Sequence, residues 1–186
     1  TPKVMGVLNL TPDSFFDGGK FLRKDNSFDE SKIINSIESM IEDGADFIDI
    51  GAQSTKPGFT KISPSEELDR LGLVFDKLND YPVLFSIDTF NYEVIKEAIN
   101  KKIDLINNVF SFSDQESFKL VCRNDIPICV CHQGNPDNKE DIFSQINLFF
   151  SDVEEKFEKE KFNTDNIIFD PGFGYGKTPF QNLKIL

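Results

Sequence analysis

Val83-Leu-Phe-Ser-Ile-Asp-Thr-Phe-Asn91 opens with an unbroken apolar run, ends it on a carboxylate, and then offers an asparagine placed to cap a helix. A run of this kind, continuous rather than alternating, predicts a strand covered on both faces, as in a parallel sheet of βα units. Five further runs repeat the pattern on either side: Val4–Leu10, Phe47–Gly51, Ile103–Val109, Ile128–Cys131 and Ile167–Phe169. Each leads into a polar or glycine-rich loop and then an amphipathic stretch.

The amphipathic stretches carry their own signals. Ser63-Pro-Ser-Glu66 reads as a capping box with proline at the first helical position, Ser113-Asp-Gln-Glu116 as a second box, and Thr178-Pro-Phe-Gln181 as a third. Residues 30–43 put Ile33, Ile34, Ile37, Met40 and Ile41 on one helical face, and residues 139–161 do the same with Ile142, Ile146, Phe149, Phe150 and Val153.

Repeated βα units fit either a doubly wound sheet or a barrel. The strand ends choose between them. Asn9, Asp49 and the loop to Thr55, Asp88, Asn107, His132 and Asp170 put a chemically capable residue at the end of nearly every strand. Functional groups spread over many strand ends are the habit of the (β/α)₈ TIM barrel, whereas a doubly wound sheet gathers them at one switch point. The expected fold is therefore α/β, the first six βα units of a (β/α)₈ barrel. Residues 1–186 form one domain, with roughly the last quarter of a ~250-residue barrel outside them. Thr1-Pro2, without an initiator methionine, and Leu186, just past a helix start, likewise read as the ends of a fragment.

Composition narrows the function. A net charge of −12, with no basic stripe, excludes a general nucleic-acid surface. An anionic substrate would have to be met locally, by a few cations, a helix N-terminus or a metal. No apolar run approaches the ~18 residues of a membrane span. Three cysteines (Cys122, Cys129 and Cys131) make a poor disulfide framework, so a reducing, cytoplasmic setting is expected.

Gly172-Phe-Gly-Tyr-Gly-Lys177-Thr178 fails two familiar readings. A phosphate-binding P-loop needs glycine where Pro171 stands, and a dinucleotide fingerprint needs it where Lys177 stands. What remains is a glycine loop after Asp170, with backbone free to approach a flat ligand. Cys129-Val-Cys131-His132 lacks a second cysteine pair, so the cysteines read as small buried side chains rather than metal ligands. His132, the single histidine, reads equally as a packed loop residue or as one facing a ligand. Asp88 and Asp170 follow buried strands, where a carboxylate needs partners. With Asn107 they could converge on a ring edge rich in N–H groups. The oxygen donors of the Asp13–Gly19 loop suit a hard cation such as Mg²⁺, or an ordinary turn.

These segments in this order carry a resemblance. Val4-Met-Gly-Val-Leu-Asn-Leu-Thr-Pro-Asp-Ser-Phe-Phe-Asp-Gly-Gly19 and Gly44-Ala-Asp-Phe-Ile-Asp-Ile-Gly-Ala-Gln-Ser-Thr-Lys-Pro-Gly58 resemble the two signatures of the dihydropteroate synthases, pterin-binding enzymes of folate synthesis. Ser86-Ile-Asp-Thr89, Ile106-Asn107, the His132 segment and Asp170-Pro-Gly-Phe-Gly-Tyr-Gly-Lys177 follow at the family's spacing. The resemblance implies a transferase that joins p-aminobenzoate to 6-hydroxymethyl-7,8-dihydropterin diphosphate with Mg²⁺, releasing diphosphate. It implies Asn9 at the Mg²⁺–diphosphate, Asp88, Asn107 and Asp170 at the pterin edge, and Thr55 near the diphosphate. Lys56, Pro57 and Tyr175 would lie near p-aminobenzoate, and Asp17, on a closing loop, near the reacting carbon. It further implies a homodimer, sulfonamide inhibition, and later Ser-Arg-Lys and Arg-x-His segments. Folate–corrinoid methyltransferases and non-catalytic pterin binders are the alternatives. Four residues depart from the family: Gln53 for Glu, Lys56 for Arg, Asn108 for Asp and Cys131 for Met.

Overall fold

In the computed structural model the described residues are 1–11, 20–25, 27–54, 60–135 and 140–186. They group into two units, Thr1–Asn107 and Asn108–Leu186. The first contains β1 (Met5–Asn9), α1 (Glu30–Glu42), β2 (Phe47–Gly51), α2 (Pro64–Phe75), β3 (Leu84–Asp88), α3 (Tyr92–Asn100) and β4 (Leu105–Asn108), which ends at the boundary. The second contains α4 (Gln115–Asn124), β5 (Ile128–Cys131), α5 (Ile142–Lys159), β6 (Ile167–Asp170) and α6 (Pro179–Ile185).

Within the first unit β1 pairs with β2, β2 with β3 and β3 with β4, all parallel. Strand order follows chain order, and β1 stands at an edge. A doubly wound sheet places β1 inside and reverses direction there. Successive addition in one direction is the winding of a (β/α)₈ barrel, as expected from the strand ends. In the second unit β5 and β6 pair in parallel on either side of α5.

The strand side chains divide by parity. Leu8, Ile48, Ile50, Ile87 and Ile106 are fully buried, on the side where Gly6 meets Met40 of α1. A Cβ at Gly6 would lie 2.8 Å from the Met40 sulfur, so the missing side chain lets α1 settle on β1. The other side is unevenly covered: Met5 is 38%, Leu84 45% and Val7 53% exposed, whereas Ser86 and Leu105 are buried. Continuous apolarity therefore overstates burial on that side. Crossover helices cover one face only, and the inner face of a barrel strand is covered by strands across the barrel.

Helix starts follow local chemistry, with two corrections. Ser63 Oγ accepts from Glu66 N at 3.2 Å, and Thr178 with Gln181 forms a complete capping box. At α4 the cap is Asp114, one residue later than expected, accepting from Ser117 N at 2.8 Å. A carboxylate accepts more strongly than a hydroxyl, and the shift uses it. Asn91 occupies the cap position of α3, but its amide is drawn away to Glu67. The core of the second unit is aromatic. Phe157, fully buried, meets Phe118 at 4.9 Å, Phe162 at 5.1 Å and Phe112 at 6.1 Å between ring centroids.

Candidate active site

The register of the first unit aligns one row across four strands: Asn9 on β1, Gly51 on β2, Asp88 on β3 and Asn107 on β4. Register partners in a parallel sheet project to the same side, so three polar side chains and one gap share a face at the C-terminal strand ends. The gap matters. A Cβ on Gly51 would lie 3.3 Å from Asn9 Oδ1 and 3.6 Å from Asp88 Oδ2. An amide oxygen and a carboxylate oxygen thus both border the space over the bare Cα of Gly51.

Two residues back on β2, Asp49 lies under the row on the same side and is 6% exposed. Its Oδ2 accepts from Asn107 Nδ2 at 3.0 Å, and its Oδ1 is buried without a hydrogen bond among the described residues. Burial pushes the Asp49 carboxyl above its usual range, while the nearby Ser86 hydroxyl and the hydrogen bond from Asn107 pull the other way. Asp88 is pushed well above the carboxylate range, first by burial and then by the charges of Asp49 and Glu67. Glu67, fully buried on α2, takes a hydrogen bond from Asn91, and burial raises its carboxyl as well. Three carboxyls that resist ionisation form an acceptor cluster waiting for N–H donors or a cation.

Asp49 received no role from the sequence beyond its place near a strand end; an Asp inside Phe-Ile-Asp-Ile was the available signal. Glu67 was missed altogether, although it shares the buried face of α2 with Leu71 and Val74. Asp88 and Asn107, expected at one ring edge, share a face, and Asn9 joins them there; Asp170, expected with them, belongs to the second unit. Asp17, Thr55, Lys56 and Pro57 lie outside the described residues.

In the second unit Asp170 ends β6, and its Oδ1 accepts from Gly172 N at 2.8 Å. The following turn carries Tyr175. His132 is 4% exposed, with its ring edge-on to Phe149 at 5.3 Å. Burial lowers its pKa, as does the Lys177 charge, against a hydrogen bond to Pro171. His132 is thus a buried imidazole packed on Phe149, and its Nδ1 has no hydrogen-bond partner among the described residues. Cys131 is buried and its thiol is pushed up by burial, as a packing residue requires. Asn108 keeps the turn function an aspartate could serve, its Oδ1 accepting from Phe110 N at 3.0 Å and Phe112 N at 3.4 Å.

No group of three or more His, Cys, Asp or Glu able to hold a metal occurs among the described residues. The oxygens of Asn9 and Asp88 around Gly51 nonetheless suit a hard cation that keeps most of its waters and binds chiefly through a phosphate ligand.

The model of the family described as pterin binding enzyme matches residues 5–186. The chain belongs to the pterin-binding enzyme family. Among curated relatives of this pterin-binding chain, the Clostridium beijerinckii dihydropteroate synthase is 36% identical over 98% of the chain and 66% of that protein. The Escherichia coli dihydropteroate synthase is 34% identical over the whole chain and 66% of that protein. The solved Yersinia pestis dihydropteroate synthase, in a complex with a sulfonamide drug, superposes with a TM-score of 0.88 at 32% identity, over 99% of this chain and 68% of that one. The Xanthomonas albilineans enzyme with 4-aminobenzoic acid gives 0.85 at 29% identity, over 99% and 66%. This pterin-binding chain therefore spans about two thirds of the length of these relatives.

Proposed function

We propose that the chain serves dihydropteroate synthesis: the amine of p-aminobenzoate displaces diphosphate from the methylene of 6-hydroxymethyl-7,8-dihydropterin diphosphate. The C–N bond forms, the C–O bond breaks, and the amine proton leaves to solvent. The observation that carries the reading is the row Asn9–Gly51–Asp88–Asn107 with buried Asp49 beneath it.

The pterin ring edge presents several N–H donors side by side. Asp88 and Asn107 meet them in the first unit. The Asp49 oxygen left without a hydrogen bond adds a further acceptor. Desolvated carboxylates near the ring also favour the positive charge that develops as diphosphate departs. Mg²⁺, when bound, would neutralise the leaving group. Asn9 is placed to hold the metal–diphosphate, and the open Cα of Gly51 leaves room beside it. Thr55 belongs near the diphosphate, and Lys56, Pro57 and Tyr175 near p-aminobenzoate. Asp17 belongs near the reacting carbon, on a loop that keeps water from intercepting it. An aromatic amine attacks in its neutral form, so no general base is required.

The sulfonamide complex of the Yersinia pestis relative supports a further reading, that sulfonamides compete at the p-aminobenzoate position. We also propose a cytoplasmic homodimer, a reading that rests on the family resemblance alone. Among the described residues no helix is long and apolar enough to cross a membrane.

The test is the full-length protein with both substrates, following dihydropteroate by chromatography and diphosphate by a coupled assay. Equal yields of the two that disappear with chelator are expected. No turnover overturns the reading, and methyl transfer to a cobalamin acceptor replaces it with the folate–corrinoid one.

A further inference from the structure

Lys177 sits where a phosphate-binding lysine might be sought, yet its ammonium is already spent. It donates to His132 O at 2.8 Å, Gly172 O at 2.7 Å and Tyr175 O at 3.2 Å. An ammonium has three N–H bonds, and all three end on backbone carbonyls. The carbonyls come from two segments, His132 just after β5 and the glycine turn after β6.

Those segments touch backbone to backbone. Gly134 N donates to Tyr175 O at 3.0 Å, and His132 N to Asp170 O at 2.9 Å. A Cβ on Gly172 would stand 2.1 Å from His132 O, and one on Gly176 2.1 Å from Gly134 O, at φ of +70° and +58°. Nothing larger than glycine lets the strands' extensions approach so closely. Three carbonyl dipoles directed at one point repel one another unless a cation lies between them, and Lys177 is that cation.

We propose that Lys177 is a positioning residue: by gathering the carbonyls of His132, Gly172 and Tyr175, it fixes the turn between Asp170 and Tyr175, and so the p-aminobenzoate side of the site. The assignment rests on the synthase reading for its functional half. The Asp170 backbone is held by β6 and its carboxylate by Gly172 N at the start of the turn, whereas Tyr175 lies wholly within the turn. Loss of the tether therefore falls on the amine substrate more than on the pterin.

The experiment uses Lys177→Met and Lys177→Ala in the full-length protein. For Lys177→Met, KM for p-aminobenzoate should rise about tenfold, while kcat and KM for the pterin diphosphate change less than about threefold. Amide exchange at Gly134 and Tyr175 should accelerate. Methylammonium should restore the low KM in Lys177→Ala, and tetramethylammonium, which carries the same charge but has no N–H bond, should not. Equal losses in both substrates, unchanged amide exchange, or rescue by either cation alike would overturn the proposal. If the wild type turns nothing over, the synthase reading falls, while exchange at Gly134 and Tyr175 still decides the tether.

Discussion

Asp49 shows at one residue how the site trades stability for binding. Burial raises its carboxyl, as it does those of Asp88 and Glu67, so the fold favours their protonated forms. Their contribution to stability is complete below the unfolded carboxylate values, about 4, and is lost as pH rises through the raised folded values. At neutral pH the cluster opposes folding, and on the proposed reading substrate N–H donors or a cation would relieve it. His132 has the opposite sign. Its lowered folded pKa leaves its contribution intact above about 6.5 and removes it as pH falls from there toward the folded value. Asp49→Asn keeps an oxygen for the Asn107 amide but removes the charge. It should stabilise the protein by about 1 kcal/mol near pH 7, with less gain near pH 5, and weaken pterin binding about tenfold or more. Thermal melts at the two pH values and calorimetric titration with the pterin diphosphate check both halves. Stabilisation without loss of binding would remove Asp49 from the site.

Among the elements, the strands were the most legible. Phe47–Gly51 and Ile128–Cys131 were read to the residue, because short, largely apolar runs between polar loops leave little choice. Caps were legible only where no distant partner competes. Thr178 caps as read, whereas Asn91 yields its amide to Glu67, a residue brought near it only by the packing of α2 against α3. Gly51 was invisible as a site feature for the same reason, since register across strands is not written in any one of them. Two glycines give contrasting expectations. Gly51→Ala crowds Asn9 Oδ1 at 3.3 Å on a face where side chains can turn aside, so melting should barely move. Binding of the metal–diphosphate should nevertheless weaken about tenfold. Gly172→Ala meets a fixed carbonyl at 2.1 Å in the left-handed region, and should cost about 2 kcal/mol of stability. Paired melting curves and titrations separate the two; equal destabilisation would deny that Gly51 serves the site.

At the scale of the molecule, the sequence told fold class and family but misjudged one face. Apolarity in Met5, Val7 and Leu84 announces that these residues are to be covered without saying by what, and crossover helices reach only the other parity. Charge, by contrast, was legible at once, and it has a consequence for rate. On the proposed reading, the −12 carried by residues 1–186 repels an anionic pterin diphosphate at long range, and their attraction for it must act within the last few ångströms. Salt screens the distant repulsion, over a Debye length of about 10 Å at 0.1 M, while on the proposed reading Asn9 would meet the Mg²⁺–diphosphate only at short range. Raising NaCl from low to physiological ionic strength at saturating Mg²⁺ should therefore leave kcat unchanged. Over that range kcat/KM for the pterin diphosphate should hold or rise by up to about twofold, the reverse of an electrostatically steered enzyme. Stopped-flow binding across a salt series reads the association rate directly. A steep fall with salt would reveal a basic approach to the site that neither the composition nor the described residues provide.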